Sequence, residues 1–140
     1  MSMQLDLRLE SDSTFVIDLK LCQVRLSHNA AFPWIFLIPK PKKLIEIIDL
    51  NPTDQCLLME EISRASHVMK SLFHPIKLNV ASLGNVVPQL HIHVVARYEK
   101  DPAWPNPIWN SGIRMTYEPS AKAERIVQLR ENFLISNSSA

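Results

Sequence analysis

The stretch that most constrains the fold runs Gly84-Asn85-Val86-Val87-Pro88-Gln89-Leu90-His91-Ile92-His93-Val94-Val95-Ala96-Arg97, near the middle of the chain. From Gln89 to Val94 polar and apolar residues alternate. The two-residue period of a β-strand sends Gln89, His91 and His93 to one face and Leu90, Ile92 and Val94 to the other. The apolar row suits a core. The polar row sets two imidazoles about 6.6 Å apart with a carboxamide beside them, a poor choice for a face with no chemical task. Gly84 and Pro88 punctuate the approach, so a tight loop is expected to feed backbone amides towards the start of that row. A neutral imidazole attacks phosphorus at neutral pH without first losing a proton from the attacking nitrogen, and amide donors steady the oxyanion.

The rest of the chain supplies a sheet and helices to carry this strand. Leu5 to Glu10 alternates and reads as a short strand ended by Ser11-Asp12-Ser13. Phe15 to Ile17 and Leu21 to Leu26 read as β segments. Ala31 to Ile38 is almost continuously apolar, as expected of a central strand covered on both faces, and it pairs naturally with the segment before it. After a helical turn within Lys43 to Leu50 comes the clearest helix. Asn51 caps it, Pro52 fits its first position, Asp54 complements its dipole, and Leu58, Ile62, Ala65, Met69 and Leu72 form one stripe before His74-Pro75 stops it. Leu78 to Ala81 is the next strand and Gln89 to Tyr98 the histidine strand. Three prolines and two tryptophans in the nine residues from Asp101 to Trp109 exclude regular structure and suggest an extended arm laid on a surface. Pro119 to Leu134 reads as a final helix with Ala123, Val127 and Leu134 inward, followed by a fraying Ser-rich tail. The order gives an α+β fold in a single domain: core about 15–98, arm 99–118, helix 119–134.

Composition narrows the partners. With 140 residues and net charge +1 the chain has no basic field for nucleic-acid polymers, so any anion is met locally. No apolar run reaches the length of a membrane span and the N-terminus lacks a signal-peptide pattern, which implies a cytoplasmic protein. Cys22 and Cys56 stand far apart and read as two small buried hydrophobes.

The histidine stretch resembles the signature of the histidine triad (HIT) superfamily, in which a Gly-rich loop runs into a strand reading His-x-His-x-His-x-x. Gln89 stands at the first histidine position, as in a bacterial-type HIT-like protein with Gln there. His91 and His93 stand at the second and third. Phe36-Leu37-Ile38-Pro39-Lys40 matches the family's strand ending in Pro-Lys, and the intervening helix falls in the family's order. The resemblance implies a five-stranded antiparallel sheet with a main helix on one face and a C-terminal helix. It also implies a homodimer and a purine nucleotide substrate attacked at its α-phosphate, an AMP-type phosphoramidate or a dinucleoside polyphosphate, with no cofactor and no metal. By position, His91 is the nucleophile forming a nucleotidyl-histidine; His93, Gln89, Asn85 and Asn79 bind phosphate; Asn29 accepts from ribose hydroxyls.

Bland alternatives stand beside these. Asn29 is as well suited to an Asx-turn as to ribose, and His28, His67 and His74 read as surface or capping residues. A carboxamide at position 89 cannot carry a proton to a leaving group, so a nucleotide-binding module with weak turnover is the second reading. A metal-dependent hydrolase ligated by His91 and His93 ranks third, because a catalytic zinc usually takes three protein ligands. The arm packs either across a dimer partner or back on its own subunit.

Overall fold

The apolar run after Ala31 becomes the middle of a sheet. In the computed structural model, which describes residues 3–138, the strands are β1 (Ser13–Asp18), β2 (Cys22–Ser27), β3 (Trp34–Pro39), β4 (Lys77–Ser82) and β5 (Ile92–Arg97). They form one five-stranded sheet in the order β1-β2-β3-β5-β4, with every pairing antiparallel. Residues Ile35 to Ile38 of β3 are all buried, as a strand covered on both faces requires.

One face of the sheet carries α2 (Pro52–Phe73) and α3 (Pro119–Ser138). Val24, Ile35, Leu37, Ile92 and Val94 pack there with Leu58, Ala65 and Met69 of α2 and with Leu129 and Phe133 of α3. The α2 boundaries follow from local chemistry: the Asn51 side chain accepts from the Asp54 amide at 2.8 Å, Pro52 opens the helix, and His74 ends it in a left-handed conformation at φ 49°. Glu61, buried on the same helix, accepts from the amides of Leu21 and Cys22 at 2.9 and 2.8 Å. That contact satisfies the tight β1–β2 connection and fixes the helix against it.

The opposite face holds Trp34, Phe36 and Ile38 of β3 and His93, Val95 and Arg97 of β5. It is covered by α1 (Leu7–Asp12) and by the segment following β5. Here the structure corrects several expectations. Leu5 to Glu10 is not a strand: the Asp6 carboxylate accepts from the Arg8 amide at 2.8 Å and caps a short helix, whose Leu9 is buried against Phe36 and Ile38. The β5 ladder starts at Ile92, not Gln89, because the Leu90 amide is drawn off to the Leu44 carbonyl at 2.9 Å. The α3 helix presents Leu129 and Phe133 to the core, while Val127 and Leu134 are 48% and 59% exposed and Ala123 is also outside. The helix continues to Ser138; the last two residues of the Ser-rich tail lie outside the described residues. Cys22 is buried, whereas Cys56 is exposed.

The arm is a chain of turns, not an extended segment, and it lies on its own subunit's sheet. Ala103 and Ile108 bury against Phe32 and Val95. Arg97, 1% exposed, pairs with Asp101 at 2.7 Å, donates to the Asn106 carbonyl at 2.8 Å and faces the Phe32 and Trp104 rings. Among the described residues no helix is long and apolar enough to cross a membrane.

Candidate active site

His93 follows from the strand period: in the β3–β5 register Phe36 lies opposite it, and both side chains project from the face away from α2. His91, just before the ladder, reaches the same side, and the two imidazole centroids lie 4.8 Å apart. The Phe36 ring meets both edge-on, at 5.8 and 5.2 Å, and sets their spacing from below.

The polar partners of the two rings assign their hydrogens in opposite senses. His91 Nδ1 lies 2.7 Å from the Gln89 carbonyl oxygen. A carbonyl only accepts, so Nδ1–H donates and the lone pair is left on Nε2. His93 Nδ1 lies 3.1 Å from Trp34 Nε1. An indole nitrogen only donates, so His93 Nδ1 accepts and its hydrogen resides on Nε2. One ring thus presents a nucleophilic nitrogen and the other a hydrogen-bond donor. Electrostatics keep both neutral. Burial holds His91 below the ordinary imidazole range, partly countered by the Gln89 carbonyl and by Asp6. Burial, with the neighbouring His91, pushes His93 down to about 3.

The pair opens into a cleft of about 370 Å³ whose walls include Leu9 and Asp12 of α1, Ser27 at the end of β2 and Asn29 just after it, Val87 from the loop before β5, and Trp109 and residues 111–114 of the arm. Trp109 packs edge-on against His93 at 5.3 Å, and its buried Nε1–H has no partner among the described residues.

The remaining expected site residues divide. Asn29 lines the cleft, but its carboxamide is engaged: Oδ1 accepts from Ala31 and Met115 amides at 3.0 and 3.1 Å, and Nδ2 donates to the Ile113 carbonyl at 3.0 Å. It is the Asx-turn that its position allowed. Gln89, Asn79 and Asn85 do not line the cleft. The carboxamide of Gln89 turns to the N-terminal segment, accepting from the Asp6 amide at 2.7 Å and donating to the Gln4 carbonyl at 2.8 Å. Asn79 accepts from Arg97 at 2.8 Å, one strand over, and Asn85 is exposed at the turn around Gly84. Sequence reasoning missed Trp34 as the residue that sets the His93 tautomer, and it missed α1 and residues 111–114 as walls. The β3 alternation Trp34, Phe36, Ile38 held the signal for Trp34 once β3 was paired with β5.

A metal reading asks for more donors. Among the described residues no group of three His, Cys, Asp or Glu side chains is placed to hold a metal ion.

The family model described as HIT domain matches residues 8–100. Similar solved structures include a histidine triad protein from Bradyrhizobium japonicum, 38% identical, with 95% of this chain and 99% of that chain covered and a TM-score of 0.91. A HIT protein from Sinorhizobium meliloti is 36% identical, with 94% and 97% covered and a TM-score of 0.90. A histidine triad protein from Marinobacter aquaeolei is 37% identical, with 95% and 97% covered and a TM-score of 0.91. No curated protein matches the chain. The paired imidazoles at the start of β5, the five-stranded antiparallel sheet and these likenesses agree, and the protein belongs to the HIT domain family of nucleotide-binding hydrolases and transferases.

Proposed function

We propose that the protein is a nucleotide hydrolase or nucleotidyl transferase acting at the α-phosphate of an AMP-type phosphoramidate or a dinucleoside polyphosphate. The observation that carries this reading is the opposed pair of tautomers: His91 Nε2 offers a lone pair while His93 Nε2 offers a hydrogen. His91 Nε2 attacks phosphorus, the bond to the leaving group breaks, and the leaving group departs with the electron pair. The product is a nucleotidyl-His91. His93 Nε2–H donates to a non-bridging phosphate oxygen as charge develops there. Water then attacks phosphorus and gives up a proton to solvent, the P–Nε2 bond breaks with its electron pair returning to Nε2, and AMP is released with His91 neutral again.

Gln89 shapes the first step by what it lacks. A carboxamide has no titratable proton near neutrality, and this one is bonded to residues 4 and 6, so a leaving group takes its proton from solvent. Substrates with poor leaving groups are expected to react disproportionately slowly. The same feature favours the second reading, a nucleotide-binding module with weak turnover.

The test is His91→Ala, with turnover of adenosine 5′-phosphoramidate and mass analysis for a histidine-bound nucleotide. The variant is expected to lose roughly three orders of magnitude or more in turnover while still binding AMP. Full activity would sink the nucleophile assignment, and AMP binding by the wild type with no turnover of any leaving group would establish the second reading. We further propose a cytoplasmic homodimer joined along the outer edge of β4, where Val80 is 45% exposed.

A further inference from the structure

Beyond the histidine cleft a second one, of about 320 Å³, is lined by His28, Arg114, Thr116, Tyr117, Pro119 and Lys122. Arg114 belongs to the walls of both, so the two are neighbours across one side chain. The lining holds two obligate cations and two hydroxyls but no carboxylate. Arg114 is exposed and Lys122 half-buried, and neither forms an ion pair with a described residue. In a chain of net charge +1, two unneutralised cations turned into one concavity are an anion site by composition.

The backbone that carries Arg114 is held, not loose. Residues 113 and 115 on either side of it bond to the Asn29 carboxamide, the Ala30 amide donates to the Met115 carbonyl at 2.8 Å, and Asn29 and Thr116 form an isolated bridge. His28 adds a ring and not a charge. Its Nε2 is 2.7 Å from the Thr14 hydroxyl, and burial, with Lys122 nearby, keeps the imidazole below its ordinary range.

We infer that His28, Arg114 and Lys122 form a second phosphate subsite, so that the ligand is a nucleotide bearing a phosphate group in addition to the one placed at His91 and His93. This rests on the nucleotide reading above and deepens it. Such a group can extend the phosphate chain or sit on the ribose, and both offer the same dianionic oxygens to the guanidinium and the ammonium.

Calorimetric titration of the full chain separates these sources and separates the subsite from the reading beneath it. Inorganic pyrophosphate probes the subsite without a nucleoside; AMP, ADP and adenosine 3′,5′-bisphosphate probe it with one. The wild type is expected to bind pyrophosphate, and to bind ADP or the bisphosphate about tenfold or more tighter than AMP. Whichever is tighter identifies the source. In Arg114→Gln/Lys122→Gln, pyrophosphate binding and the ratio of second-phosphate ligand to AMP are each expected to fall about tenfold, and the charge-conserving Arg114→Lys/Lys122→Arg is expected to restore the ratio. A wild-type ratio near one, or a ratio unmoved by the glutamine pair, overturns the subsite while leaving the nucleotide reading intact. Pyrophosphate binding that depends on the two cations, with no AMP binding at all, keeps the subsite and removes the nucleotide reading instead.

Discussion

At the scale of single residues, the indole of Trp34 controls the chemistry available to His93. A donor directed at Nδ1 bonds only the neutral ring, so it adds to burial in opposing protonation. Trp34→Phe keeps an aromatic ring beside Phe36 and removes that bond, at a cost of about 1 kcal/mol. Turnover is expected to fall about tenfold, and the acid limb of the pH–rate profile to move upward, because His93 then protonates more readily. An unchanged acid limb in that variant would reduce Trp34 to packing. The depressed imidazoles also tie stability to pH. His93 ionises at about 3 in the fold against 6.5 for the free group, so the unfolded chain binds the extra proton first. Its contribution is intact above about pH 6.5 and is lost as pH falls towards 3, at up to about 1.4 kcal/mol per pH unit. Urea midpoints measured between pH 7 and 4 should drop more steeply for the wild type than for His93→Gln. The sequence reached His91 and His93 because a period of two is local. It could not reach the 59-residue separation between Trp34 and His93, which exists only once β3 and β5 are in register.

At the scale of elements, the segment from Tyr98 to Tyr117 is governed by one buried ion pair. Asp101 accepts from Arg97 at 2.7 and 3.1 Å and from the amides of Tyr98, Ala103 and Trp104. Burial pushes its carboxyl up, but the guanidinium and those amides prevail and hold it below the usual carboxylate range. Asp101→Asn leaves the Arg97 charge buried without its counter-ion, so a loss of about 3–5 kcal/mol in urea denaturation is expected. Amide exchange in residues 101–114 should accelerate, and turnover should fall with it because Trp109 loses its seat against His93. A variant of wild-type stability would show that the pair contributes nothing net. What was legible at this scale tracks how local the cause is. Asn51, Pro52 and Asp54 define the start of α2 within four residues. In α1 the alternation of Leu5 to Glu10 pointed to a strand, and the Asp6 cap with burial of Leu9 overrode it. In α3 several apolar residues compete for the inward face, and contact with α2 selects Leu129 and Phe133 over Val127 and Leu134.

At the scale of the whole molecule, β4 ends the sheet and pairs with β5 alone, leaving its outer row of backbone groups for another chain. Val80, on that strand, is accordingly the place to test the proposed dimer. Val80→Lys puts a charge on the edge and is expected to halve the mass found by sedimentation equilibrium, whereas a monomeric wild type would remove the dimer from the account. The strand order itself was partly legible, since short connections favour antiparallel neighbours, but the use of both sheet faces was not. The second face is assembled from α1, at the start of the family-matched residues 8–100, and from the arm, whose covering residues lie beyond their end. That arrangement gives the Gln89 clasp on Gln4 and Asp6 a practical meaning. The backbone carbonyl that orients His91 belongs to the same residue whose side chain fastens the N-terminal segment. Trimming residues 4–6, or fusing an affinity tag immediately ahead of them, is therefore expected to disturb the alignment of His91, the proposed nucleophile. A preparation handled that way can look like an inactive enzyme when it is only an unlatched one.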